Sequence, residues 1–162
     1  MSTVAGIAIL LATVAAMEGV AYVTHRYVMH GLGWGWHRSH HEPHEGAFEK
    51  NDLYAVVFAF LAFAMLAFAS PFSGAIYWVG VGMAVYGVLY FVFHDGLVHG
   101  RWPFRMDVRH PYLKRLVQAH RLHHAVEGRD GGVSFGFLYA APVRKLRQEL
   151  REKNPTLRGD AG

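Results

Sequence analysis

Three long apolar runs organise the chain. From Val4 to Val23 the only charge is Glu18, and Leu53 to Ala69 and Ala75 to Phe93 carry none. Each run is about 17–20 residues, the length an α-helix needs to cross about 30 Å of hydrocarbon. The pattern predicts three membrane-spanning helices over about 4–23, 53–69 and 75–93, the last two forming a hairpin across the Ser-Pro-Phe-Ser-Gly connection at 70–74. The first run lacks a basic flank and enters His25 without a small-residue cleavage site, which argues against a signal peptide. Small residues share a face of each hairpin arm, Ala55, Ala59 and Ala62 on one and Gly80, Ala84 and Gly87 on the other. They suit close helix packing or, alternatively, a groove for a rigid apolar ligand.

Outside the runs the elements are shorter. Helix 1 is expected to run from about Thr3 to His30 and end at Gly31. The stretch from Gly31 to Trp36 reads as a turn with interfacial tryptophans. Residues 37–41 restart a short helix that Pro43 ends, since proline disfavours helix in the residue before it. Residues 112–126 form a helix, Gly128 to Gly132 a loop, and Val133 to Val143 a run too short to span, read as interfacial or re-entrant. Arg144 to Lys153 is a basic helix with Leu146 and Leu150 on one side, expected as a solvated or headgroup-facing tail.

Charge sets the topology. Arg26, Arg38 and Lys50 are the only basic residues before residue 94, and the other thirteen of the sixteen Lys and Arg follow it. Three spans put 24–52 and 94–162 on one membrane face, which the positive-inside rule makes cytoplasmic, with the N-terminus outward. The chain is therefore read as an all-α integral membrane protein of one domain, 1–162, with about three transmembrane helices, a cytoplasmic histidine-rich helical cap and a basic cytoplasmic tail, 144–162. The pI near 9.5 is explained by anionic membrane lipids rather than nucleic acid. The absence of cysteine excludes iron–sulfur clusters, Rieske centres, thiolate haem, disulfides and cysteine-bound structural zinc.

Histidine changes the picture most. Ten of twelve fall into two matched sets, His25-x4-His30 with His37-x2-His40-His41, and His94-x4-His99 with His120-x2-His123-His124. At about 100° per residue, positions i, i+3 and i+4 lie within roughly 60° of i, so each His-x2-His-His presents three imidazoles on one face. Positions i and i+5 are about 140° apart, so each His-x4-His pair converges only if the helix distorts or other ligands fill the wedge. Buried imidazoles need partners, and neutral imidazole ligates zinc, iron, copper or nickel. Ten ligands exceed one six-coordinate ion and suit two. Asp95 and Glu127 are candidates to accept a ligand's other N–H. Glu45, Glu49 and Asp52 are less well placed, and His44 and His110, outside the repeats, are candidate ligands or supports. Glu18, an acid inside a span, is either functional or paired across helices. His41-Glu-Pro-His44 lacks zinc-protease spacing, and Gly132-Val-Ser-Phe-Gly136 lacks the strand-turn-helix of a nucleophile elbow.

The segments His25-Arg-Tyr-Val-Met-His30, His37-Arg-Ser-His-His41, Glu49-Lys-Asn-Asp-Leu-Tyr54, Phe93-His-Asp-Gly-Leu-Val-His99, Arg101-Trp-Pro-Phe-Arg105, Ala119-His-Arg-Leu-His-His-Ala-Val-Glu-Gly-Arg-Asp130 and Ser134-Phe-Gly-Phe137 resemble the bacterial β-carotene 3-hydroxylases of the fatty-acid hydroxylase superfamily. The resemblance covers roughly residues 15–150. It implies two non-haem iron ions held by the ten histidines, zinc being able to substitute in isolated protein, with O2 as co-substrate and no separate acid or base. It implies hydroxylation of carotenoid β-ionone rings at C3, from β-carotene through β-cryptoxanthin to zeaxanthin, in the bacterial inner membrane. The chain carries no flavin, nicotinamide or iron–sulfur motif, so electrons must come from a separate ferredoxin-like donor. The readings kept beside it are a di-metal hydroxylase or desaturase of a fatty acyl or sterol lipid, and a membrane metal-binding or transport protein.

Overall fold

The computed structural model describes residues 1–43, 46, 48–69, 74–102 and 107–155. His44, Glu45, Ala47, residues 70–73 of the hairpin connection, residues 103–106 and the tail beyond 155 lie outside the described residues. Among those described there are helices and loops and no strand. The helices are α1 (Thr3–Val23), α2 (Trp34–His41), α3 (Asp52–Phe68), α4 (Ala75–Tyr90), α5 (Pro111–His123) and α6 (Val143–Lys153). Two π-helical stretches extend them: Thr24–Leu32 continues α1, and Phe91–Val98 continues α4.

Local signals place the ends. Ser2 is extended and its hydroxyl accepts the Ala5 N–H at 3.3 Å, capping α1. Pro111 opens α5 at its first turn, where a missing N–H costs nothing. The asparagine-led turn into α3 is closed by the Asp52 carboxylate, which accepts the Glu49 N–H at 2.9 Å.

α1 and α4 run parallel. Contact sites climb together along both, from Gly6 beside Trp78, through Thr13 beside Gly82, to Glu18 beside Tyr86. α3 runs antiparallel to α4, with its late residues Ala62 and Met65 against Gly80 near the start of α4. This parity brings the ends of α1 and α4, and with them both histidine sets, to one end of the bundle. The outward faces are apolar: Val4 is 78% exposed, Phe60 68% and Ile76 62%. A layer with its large apolar side chains outside and its glycines inside is built for lipid rather than water.

With its π-helical continuation α1 is 30 residues long, and α4 with its continuation 24, so both are long and apolar enough to cross a membrane. α3, the expected third span, is the shortest of the three. Its 17 residues rise about 26 Å at ~1.5 Å each, the lower limit for crossing a roughly 30 Å core. Its first turn is drawn onto the cap, where Asp52 pairs with Arg101 at 2.8 Å.

The small-residue faces divide differently from expectation. Gly80 packs on α3, Gly82 packs on α1, and Gly87 has no neighbour within 4 Å of an added Cβ. Between α3 and α4 this face is filled by helix contact at Gly80. The cap has its own core, in which Leu146 and Leu150 of α6 pack with Leu116, Ala119, Val133 and Ala140. The basic helix is therefore docked on α5 rather than a free tail. Its apolar stripe is covered, and Arg144, Arg147 and Arg151 face outward.

A Cβ at Gly82 would stand 2.6 Å from Thr13 Cβ and 2.9 Å from the Leu10 carbonyl, both backbone-anchored. Gly82→Val should separate α1 from α4 and destabilise the protein by about 1–3 kcal/mol. Gly87→Val should leave stability nearly unchanged. Thermal denaturation of the two variants in detergent checks this.

Candidate metal centre

The geometry of the site starts from the helix ends. An α-helix cannot bring residues i and i+5 together, but a π-helix hydrogen-bonds i to i+5 and so stacks them one turn apart. Both His-x4-His pairs sit in such stretches. In the second, the His99 N–H donates to the His94 carbonyl at 3.0 Å, closing the π turn on the pair itself. In the first, the Gly33 N–H reaches the Val28 carbonyl at 2.8 Å, and the chain breaks at Gly31, with φ −118° and ψ −117°. α2 begins at Trp34, inside the expected turn and three residues before the expected helix start, so Trp34 lies within a helix. Its ring packs at 5.4 Å from those of His30 and His41.

The ten repeat histidines converge into two groups. Side-chain nitrogens of His25, His30, His37 and His123 all lie within 4.8 Å of one another, as do those of His40, His94, His99 and His120. His41 joins the first group through its Nε2, 3.2 Å from that of His37. His124 joins the second through its Nε2, 2.8 Å from that of His120. Each group thus draws four histidines from one sequence set and one from the other. The exchanged residues are His40 and His123, the middle member of each His-x2-His-His. On a helix, i and i+4 are about 40° apart, whereas i+3 lies roughly 100° from i+4, so the middle ring points to the neighbouring group. The rings of His41 and His124, stacked at 4.6 Å, join the two groups.

Tautomers follow from the outer partners. Nδ1 of His25 faces the Phe135 carbonyl at 3.0 Å, and that of His30 faces the Arg129 carbonyl at 2.7 Å. Nδ1 of His41 faces the Val126 carbonyl, and that of His123 the Val133 carbonyl, both at 2.9 Å. A carbonyl only accepts, so each Nδ1 must carry the proton and each neutral ring turns a bare Nε2 lone pair inward. His37 donates similarly to Asn51 Oδ1 at 2.7 Å, His40 to Glu49 at 2.7 Å and His94 to Asp95 at 2.8 Å.

The inward Nε2 atoms therefore meet at 3.1–3.2 Å, His25 to His37, His30 to His123, and His40 to His94, with no proton left to share. Facing lone pairs repel, and a cation at each focus removes the repulsion. The donor set fits a transition metal in each group.

Protonation does not supply that cation. Burial pushes His37 down to about 3, His41 to about 4 and His124 to about 3. It holds His40, His120 and His123 well below the ordinary imidazole range. These rings stay neutral at physiological pH, the form that ligates.

Asp95 stands where the sequence suggests, on His94. Glu127 does not reach the groups. It is exposed, just past α5. His110 is exposed at the N-cap of α5 with its ring 6.4 Å from that of Tyr112, also away from both groups. The closer acid is Glu49, less well placed in the sequence because seven residues lie between it and His41. The loop folds back and sets Glu49 on His40. Arg101 then ties the supports together, pairing with Glu49, with Asp52, and with Asp95 at 3.8 Å.

The segment 133–140 crosses the site as an irregular strap, neither spanning nor helical. Beyond its two carbonyl acceptors, Phe137 stacks on His25 at 5.5 Å and meets His94 edge-on at 5.3 Å. A narrow, mainly apolar crevice walled by Phe93, Leu97, Leu116 and Ala140 ends at His94 and His120.

Comparison with known proteins places this arrangement. The chain is 57% identical over 153 residues to the "Beta-carotene hydroxylase" of Pantoea ananas, covering 94% of this chain and 87% of that protein. It is 60% identical over 144 residues to the protein of the same name from Paracoccus sp. (strain PC1), covering 88% and 89%. A "Beta-carotene 3-hydroxylase, chloroplastic" from an Oncidium hybrid cultivar is 41% identical over 124 residues, 74% of this chain and 40% of the plant protein. No solved structure gives a significant match. The fatty acid hydroxylase family matches residues 10–141, which contain both histidine groups and the helices that carry them. The chain belongs to the fatty acid hydroxylase family.

Proposed function

We propose that this membrane protein hydroxylates C3 of carotenoid β-ionone rings, converting β-carotene through β-cryptoxanthin to zeaxanthin. The ten histidines His25, His30, His37, His40, His41, His94, His99, His120, His123 and His124 hold two iron ions, five imidazoles to each. The observation that carries the reading is the convergence of inward lone pairs at the shared end of two apolar helices. The names of close relatives supply the substrate.

Bound iron supplies activation of O2, and the protein's residues prepare for it. Asp95, Glu49 and Asn51 accept the outer N–H of His94, His40 and His37, fixing the tautomer and strengthening the inward nitrogen. Arg101 holds the two acids in place. The crevice beside His94 and His120 is apolar, as a hydrocarbon ring from the bilayer requires, and would have to widen to admit one. The electrons come from a separate, ferredoxin-like protein, drawn to the basic cap. The excess of Lys and Arg at 94–162 orients the histidine groups and C-terminus toward the cytoplasm of a bacterial inner membrane, as one domain.

Expression in β-carotene-accumulating bacteria with a compatible donor should yield mono- and dihydroxylated carotene on chromatography with mass detection. Unchanged β-carotene, with the protein verified in the membrane, would point instead to a fatty acyl or sterol lipid as substrate. His40→Ala and His123→Ala should each abolish conversion while membrane insertion persists. Glu49→Gln should reduce metal affinity about 10–100-fold, measured by competition with a chelator.

A further inference from the structure

Glu18 is unaccounted for by the metal ligands and their immediate partners, yet inside a span its carboxylate accepts hydrogen bonds from four different residues. Its carboxylate accepts the backbone N–H of Phe137 at 2.9 Å, of Leu138 at 3.0 Å and of Tyr139 at 3.0 Å, and the Tyr86 hydroxyl at 2.8 Å. Three consecutive amides converging on one anion form a concave anion-binding nest. The strap has no helix or strand to satisfy these donors, and unpaired amides are costly beside hydrocarbon. The acid on α1 replaces the missing secondary structure.

The strap so held reaches the metal groups through two backbone carbonyls and the rings of Phe135 and Phe137. The Phe135 carbonyl fixes His25, the Val133 carbonyl fixes His123, and the Phe137 ring lies flat on His25 and edge-on to His94. His25 and His123 both belong to the first group. Gly136 shows how closely clamp and strap fit, since an added Cβ there would stand 2.6 Å from Glu18 Oε1 and 2.7 Å from the Tyr139 carbonyl.

We propose that Glu18 is a positioning residue of the metal centre: its carboxylate clamps the amides of residues 137–139, and through the strap sets His25 and His123 in the first histidine group. The proposal rests on the metal reading above and not on the identity of the organic substrate. Glutamine at 18 offers one acceptor oxygen and turns two new donors toward donors, so the clamp opens while size and shape persist.

The test uses the full chain, freed of metal, in nanodiscs and loaded with cobalt(II) alone, whose visible bands report the ligand field. Glu18→Gln opens the clamp from the helix side and Gly136→Ala from the strap side. Both should insert with native helical content. Both should show altered cobalt bands and release about half of their cobalt to a chelator roughly tenfold faster than the native chain, a loss typical of disturbed outer partners. Native bands and native release in the inserted variants would overturn the proposal. Equal acceleration for all of the cobalt would also overturn it, because it marks general loosening. If neither variant inserts, Glu18 serves assembly alone and the proposal fails. A native chain that takes up no cobalt would overturn the metal reading itself, whereas failure to convert carotene would touch only the substrate.

Discussion

Repulsion between inward-facing imidazole lone pairs is the constraint on which the rest of the structure depends. Four backbone carbonyls take the outer protons of His25, His30, His41 and His123, so the inner nitrogens have none. Burial keeps the rings neutral, which removes the option of sharing an added proton. A protein that gathers such groups in a site nearly closed to water is unfavourable by itself and favourable with a cation at each focus. A metal bound there would couple affinity to folding, its free energy of binding offsetting the cost of assembling the cluster.

Several irregular features of the fold follow from this. The π-helical stretches weaken two helices at their ends and bring residues five apart onto one face. The exchange of His40 and His123 ties each group to both histidine sets, so neither group is complete without the other half of the chain. The strap gives up regular secondary structure to place two carbonyls and an aromatic ring against the imidazoles, and Glu18 compensates from within the membrane span. Departures from ideal geometry concentrate around the site, while the lipid-facing parts of α1, α3 and α4 remain regular.

The outline of this was legible in the sequence because it rests on local spacing. Apolar run lengths placed the three apolar helices to within a few residues, and the parity of those spans put both histidine sets at one end. What escaped depends on long-range return of the chain. Glu49 and Asn51 follow a loop whose path no local pattern reveals, yet they contact His40 and His37, whereas Glu127, only three positions after His124, is exposed to solvent. Backbone carbonyls carry no sequence signature, so the acceptors at Val126, Arg129, Val133 and Phe135 could not be named. The α6 stripe of Leu146 and Leu150 was visible, but its use as a core against α5 needed the packing partner. Glu18 was conspicuous as the lone charge in a span, and its partners are amides, which every residue possesses.

The most direct measurement is anomalous scattering at the iron edge from crystals of the iron-loaded protein, with metal content determined on the same sample. The account predicts two peaks per chain, one among His25, His30, His37, His41 and His123, the other among His40, His94, His99, His120 and His124. A single peak, or iron bound outside these two groups, would contradict it.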